Sequence, residues 1–162
     1  MCLDLEIRRV QAGMLPALAE LFDELAKARE ERFFLPHPLT PAQAAQVANY
    51  QGPDLYTVAL HDDKAIAYGL LRGWDEGYET PSLGISVHPN YRGVGIGLAL
   101  MHYLHAAAAL RGCEMIRLRV HQDNDRARRI YQEMGYRFEE SREGFLTGFF
   151  HLKDRATAKL SA

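Results

Sequence analysis

Apolar and polar side chains alternate at the start of the chain, with Leu3, Leu5 and Ile7 set against Asp4, Glu6 and Arg8. This period of two predicts a strand over 3–10 with one buried face. From residue 14 the period lengthens. Leu15, Leu18, Leu21, Phe22 and Leu25 recur at helical spacing, which predicts a helix over 14–31. Pro16 suits its first turn, where a missing N–H costs nothing. A proline-rich loop from Phe33 to Pro41 leads to a short helix over 41–50. Two apolar runs, Leu55–Leu60 and Ala65–Leu71, flank the polar turn His61-Asp62-Asp63-Lys64 and predict a β-hairpin.

A glycine-rich acidic loop covers 73–80, and a strand follows from Leu83 to Val87. Next come a loop from Pro89 to Gly97, an apolar helix to about Leu110, and a strand over Ile116–Val120 with Leu118 and Val120 on one face. A helix from about Asn124 to Met134 stops at Gly135, the residue type best suited to a left-handed cap. Strands near Tyr136–Glu139 and Leu146–Leu152, joined by Ser141-Arg142-Glu143-Gly144, end the series. The order β-α-α-β-β-β-α-β-α-β-β, without repeat or linker, predicts one domain over 1–162. Its class is α/β (α+β), a mixed sheet with helices on both faces.

Composition narrows the chemistry. At 162 residues, 48% hydrophobic and 25% charged, the chain has the make-up of an ordinary globular domain. A formal net charge of −2 gives no general attraction to nucleic acid or to anionic membranes, so any anion site must be built locally. No run of about 18 apolar residues predicts a membrane span. The two cysteines, Cys2 and Cys113, and the absence of a basic-then-apolar leader point to a reduced, cytoplasmic protein without a structural disulfide.

Arg92-Gly93-Val94-Gly95-Ile96-Gly97 follows a strand and opens a helix. The first N–H groups of a helix lack intrahelical partners, and the helix dipole adds positive potential. Glycines let an anion approach those groups, and Arg92 adds a charged donor fork. The loop is therefore an anion cradle. A P-loop would need Lys-Ser/Thr after Gly97, where Leu98-Ala99 stands, and a dinucleotide fingerprint would need Gly or Ala at Leu98. A tight turn that binds nothing is the alternative.

Two segments resemble the GCN5-related N-acetyltransferase (GNAT) family. Val87-His88-Pro89-Asn90-Tyr91-Arg92-Gly93-Val94-Gly95-Ile96-Gly97 is similar to its Arg/Gln-x-x-Gly-x-Gly/Ala loop and the strand before it. Asn124 to Tyr136 is similar to its Asn-x-x-Ala-x-x-x-Tyr-x-x-x-Gly-Tyr/Phe helix. The well-matched part runs from about 81 to 138. The resemblance implies a GNAT-like domain with a mostly antiparallel sheet of about seven strands, and acetyl-CoA as co-substrate without a metal. It also implies that Ile85, Ser86 and Val87 pair with the pantetheine amides, and that an N–H near Val87 polarises the thioester carbonyl. The N–H groups of Arg92, Gly93, Val94, Gly95, Ile96 and Gly97 would hold the pyrophosphate, Asn124 would contact the pantetheine arm, and Tyr131 would protonate the departing thiolate. Asn124, Ala127 and Tyr131 share one helical face. Packing in the core is the bland alternative for Tyr131.

One departure stands out. Ser82 occupies the place where many relatives carry a glutamate base. The proton could leave through water, or through Glu79, His88 or His121, and for any single histidine a plain surface or packing role is the alternative. His102 and His105 lie three residues apart, but without a third ligand they predict no metal. Arg126, Arg128 and Arg129 read as a solvated helix face. The first two helices, the loop Phe33–Leu39 and the loop 73–82 should shape the acceptor site. In the latter loop Trp74, Asp75, Glu76, Tyr78 and Glu79 suit a cationic amine or a sugar ring. Arg72–Tyr78 with Pro81–Gly84 is similar to a bacterial branch of the family associated with amino sugars or surface polysaccharides. Small-molecule amines, amino acids and peptide N-termini stay open as acceptors. A non-catalytic acyl-CoA-binding module is the second function class, motivated by Ser82. A nucleotide-binding domain unrelated to CoA is a third, disfavoured by the failed motifs. Exposed strand edges make a homodimer feasible.

Overall fold

The structure, a computed structural model, describes residues 2–140 and 142–152. Its elements are β1 (Glu6–Arg9), α1 (Leu15–Lys27), α2 (Pro41–Ala48), β2 (Leu55–His61), β3 (Lys64–Arg72), β4 (Ser82–Val87), α3 (Ile96–Leu110), β5 (Met115–His121), α4 (Asp125–Met134), β6 (Arg137–Glu140) and β7 (Phe145–His151). The element order is the one the hydrophobic pattern predicts. Of the expected last turn, Ser141 lies outside the described residues, while Glu143 and Gly144 take positive φ of 67° and 78°.

The strands form one seven-stranded sheet in the order β1-β2-β3-β4-β5-β7-β6. Neighbours are antiparallel except β4 and β5, which run parallel. β3 lies centrally and is buried from Ala65 to Leu71, so both of its faces meet protein. One face packs on α1 and α2 through Leu18, Leu21, Phe22, Leu25, Val47 and Tyr68. The other packs on α3 and α4 through Leu100, Leu104, Leu118, Val120 and Tyr131. Each fully buried aliphatic or phenyl side chain stabilises the fold by roughly 2 kcal/mol relative to exposure.

α1 ends four residues before the predicted boundary. Arg29 adopts φ 58°, a left-handed conformation that breaks the helix, and a short 3-10 turn over Glu30–Arg32 follows. The break carries Glu30 away from the line of α1, toward the start of the glycine loop, where it pairs with Arg92. Both cysteines are free thiols. Among the described residues no helix is long and apolar enough to cross a membrane.

Candidate active site

The pairing of β4 is lopsided. Six residue pairs join it to β3, but only Ser82↔Arg117 joins it to β5, with the Arg117 N–H donating to the Pro81 carbonyl at 3.0 Å. Beyond that pair the two strands part. His88 N–H donates to Ile66 O at 2.9 Å. Peptide groups alternate sides along a strand, so those of Val87 and Ile85 point away from β3 into the opening. The Val87 carbonyl accepts there from Arg92 Nε at 3.0 Å.

A cavity of about 420 Å³ fills the opening. Ile85, Ser86 and Val87 form one wall, Arg119 and Val120 of β5 another, and Arg92, Gly93, Gly95, Ile96 and Gly97 close one end. Val94 does not line it, and its side chain points to solvent, 58% exposed. Gly93 and Gly95 take φ of 77° and 94°, a region that L side chains avoid. Successive N–H groups turn inward in such a loop and form an anion-binding concavity. The starts of α2 and α4 are filled by protein side chains. Thr40 Oγ1 accepts from Gln43 N at 3.2 Å at α2, and Asn124 Oδ1 accepts from Ala127 N at 3.3 Å at α4. The start of α3, at Gly95, carries no side-chain cap, so its N–H groups stay available.

The Arg92 fork is already committed. Beyond the Val87 carbonyl, it pairs with Glu30 at 2.8 Å, and this pins the loop to the turn after α1. A second cation sits nearby: Arg126 lines the same cavity. Its guanidinium is held below its ordinary range, first by partial burial and then by Arg92. The expected solvated face is found at Arg126 and Arg129, which are both exposed, although Arg126 also borders the cavity, while the half-buried Arg128 donates to Gln122 O and Asp125.

Tyr131 is 8% exposed and stands at the cavity's far end, where a second cavity of about 170 Å³ begins. Phe33, Phe34, Ile85, Arg119 and Tyr131 line both. Burial pushes the Tyr131 phenol up to about 12, so at neutral pH it is protonated and can donate. Asn124 lines the larger cavity while its Oδ1 caps α4.

The smaller cavity is enclosed by Phe33–Pro36, Leu70, Arg72, Ser82, Leu83 and Gly84. Gly84 has a steric purpose, since a Cβ there would lie 2.5 Å from Pro36 Cγ. The loop Phe33–Leu39 thus lines this cavity through its first four residues, whereas of the loop 73–82 only Ser82 reaches it. Asp54, buried, accepts from Gly73 N at 3.0 Å and from Asp75 N at 3.2 Å, and Tyr50 donates to Asp75. Trp74 lies under Arg111 at 4.4 Å.

None of the three candidate bases lines either cavity. His88 caps a 3-10 turn by accepting from Asn90 N at 3.1 Å and meets Glu24 at 3.1 Å. His121 stacks on Phe33 and Phe145. Glu79 is exposed in the acidic loop. His102 lines the larger cavity, whereas His105 turns into the core to Tyr136 Oη at 2.7 Å. Among the described residues no cluster of His, Cys, Asp and Glu could hold a metal. Arg72 and Arg119 escape the pattern reading. The signal for Arg119 is the alternation Ile116-Arg117-Leu118-Arg119-Val120, whose polar half faces the site.

The sequence model of the Acetyltransferase (GNAT) family matches residues 18–136. An acetyltransferase of Sodalis glossinidius is 35% identical over 89 residues, which are 55% of this chain and 61% of that protein. The chain therefore spans about three-fifths of this curated relative. The fold is also that of solved structures at low identity. The GNAT domain of S. lividans PAT superposes with a TM-score of 0.78 at 15% identity, covering 91% of this chain and 90% of that one. The PaiA N-acetyltransferase of Thermoplasma acidophilum, solved with coenzyme A, gives 0.74 at 18%, covering 91% and 99%.

Proposed function

The chain belongs to the GNAT acetyltransferase family, and on that premise we propose that it transfers an acetyl group from acetyl-CoA to a primary amine of a small molecule or peptide, by direct attack on the thioester. One observation carries this reading. β4 and β5 part after a single pair, leaving the Ile85 and Val87 peptide groups beside a cavity that runs from an uncapped helix start to a buried tyrosine. Acetyl-CoA as substrate fits that arrangement: an anion for the helix start, amides for the strand, and a thioester near Tyr131.

The residues then divide the work. N–H groups of the loop Arg92–Gly97 hold the pyrophosphate, with Arg126 adding charge. The exposed edge of Ile85–Val87 aligns the pantetheine arm, and Asn124 borders it. The amine nitrogen attacks the thioester carbon, and the Val87 N–H stabilises the oxyanion as it forms. The carbon–sulfur bond breaks, and Tyr131 donates its proton to the sulfur. The amine's surplus proton leaves through water, since the acceptor cavity is lined by neither carboxylate nor imidazole.

That last point also favours a second reading, an acyl-CoA-binding module without turnover. Thiol release separates the two. With acetyl-CoA and a panel of amines, the wild type should release thiol with at least one of them. Tyr131→Phe should cut that rate by roughly 10²–10⁴, as for other general acids. Tight acetyl-CoA binding with no thiol release from any amine would favour the binding module.

A further inference from the structure

Arg72 and Arg119 line the smaller cavity and Arg117 adjoins it through Ser82; the contacts that position all three are with neutral groups. Arg72 lies opposite Ser82 across β3–β4, and Ser82 lies opposite Arg117 across β4–β5. Side chains opposite one another in a sheet project from the same face, and Arg119, two residues on from Arg117, shares it. Arg72 donates to the Pro36 carbonyl at 2.5 Å. Arg117 Nε donates to Ser82 Oγ at 2.8 Å, and its guanidinium lies 5.5 Å from the centre of the Tyr78 ring. Arg119 lies over Phe145 at 4.8 Å. Among the described residues none of the three makes an ion pair, whereas Arg8, Arg92 and Arg128 each have a carboxylate. These contacts fix the positive charges without neutralising them.

Arg72, Ser82 and Arg119 line the smaller cavity, and no acidic residue does. The acidic loop touches the cluster only through the Tyr78 ring beside Arg117, while its start is anchored by Asp54 and Tyr50, and none of its carboxylates lines the cavity. The cluster is also separate from the glycine loop. Ser82 and Val87 are about 16 Å apart along β4, at roughly 3.3 Å per residue. We propose that the acceptor is an amine that also carries an oxyanion, a carboxylate or a phosphate, and that Arg72, Arg117 and Arg119 select it. With its amine directed at Tyr131, such a molecule places its anion among the guanidinium groups, whose planar forks suit either oxyanion. Polyamines meet repulsion instead. The same positive field lowers the pKa of the entering ammonium, easing loss of its proton where no base lines the wall.

This inference rests on the acetyl-transfer reading above, and the test keeps the two apart. Acceptors are compared in pairs that differ in the anion: the common amino acids against their α-amides, and glucosamine 6-phosphate against glucosamine, with spermidine as the polycationic arm. Thiol release at saturating acetyl-CoA should favour the anionic member of at least one pair by about thirtyfold or more in kcat/KM, the range of a charge-assisted contact. The pair that responds distinguishes carboxylate from phosphate. Arg117→Gln should raise KM for that acceptor about tenfold, with kcat and acetyl-CoA affinity nearly unchanged, and Arg117→Lys should recover part of the loss. Equal use of both members, or preference for spermidine or an amide, overturns the proposal.

If no amine releases thiol, the acetyl-transfer reading fails and binding decides the inference. The CoA-loaded protein is then titrated calorimetrically with N-acetylalanine against its amide, and with N-acetylglucosamine 6-phosphate against N-acetylglucosamine. Binding of an anionic member alone, lost in Arg117→Gln, supports the arginine site. Equal binding of both members, or of neither, overturns it.

Discussion

The two cavities that meet at Tyr131 are built in opposite ways. The larger one presents backbone: loop N–H groups at an uncapped helix start, and strand peptide groups released where β4 leaves β5. The smaller one presents side chains drawn from the turn after α1, the end of β3, the start of β4 and the outer face of β5. A backbone site asks the sequence only for glycines and for a strand with an absent neighbour, so many sequences can build it. A side-chain site depends on which residues happen to face it. On the proposed function, the backbone-built end takes acetyl-CoA and the side-chain-built end takes the acceptor.

The hardest blow to this division is at the junction. Tyr131→Phe should lower kcat by about 10²–10⁴ while acetyl-CoA affinity moves less than about threefold, because the role proposed for the phenol is on the leaving group and not in binding. Single-turnover kinetics with parallel calorimetry separates the two. Its pH dependence sharpens the point. A phenol at about 12 is protonated throughout the working range, so kcat should not fall between pH 8 and about 10. An alkaline limb near pH 9 would assign the proton to another group.

On the donor side alone, Gly95→Asp forces a side chain into φ 94° and sets a carboxylate where the pyrophosphate is proposed to bind. Acetyl-CoA affinity should drop by about a hundredfold, from roughly 3 kcal/mol of strain and repulsion. On the acceptor side alone, Gly84→Ala would press on Pro36 and shift the wall of the smaller cavity. Acceptor kcat/KM should fall about tenfold with acetyl-CoA affinity unchanged, since overpacking costs about 1–3 kcal/mol. Smallest of all, Asn124→Ala removes the cap of α4 at a cost of about 1 kcal/mol, visible as a Tm lower by roughly 2–4 °C.

The same asymmetry governs what the sequence discloses. The strand–loop–helix around Gly93–Gly97 and the helix from Asn124 to Tyr131 are contiguous, so their spacing is visible in one dimension. So are the strands, whose alternation places Leu118 and Val120 on the core face. The parting of β4 from β5 is not visible, because it arises from which strands are neighbours and where their pairing stops. Arg29 gives no local sign that it breaks α1, yet that break brings Glu30 to Arg92. The acidic loop misleads for a related reason. Its composition suits a cationic acceptor, but Asp54, nineteen residues before Gly73, anchors its start, and none of the loop's carboxylates lines the cavity. The arginines at positions 72, 117 and 119 become a cluster only through sheet register.

The position of bound acetyl-CoA is the decisive observable. Backbone amide resonances of isotope-labelled protein, followed as acetyl-CoA is added without acceptor, report this directly. The predicted result is saturable one-to-one binding, with the largest shifts at Ile85, Val87 and Gly93 through Gly97, and little change at Arg72. No saturable shift, or shifts centred away from the opening between β4 and β5, would contradict it.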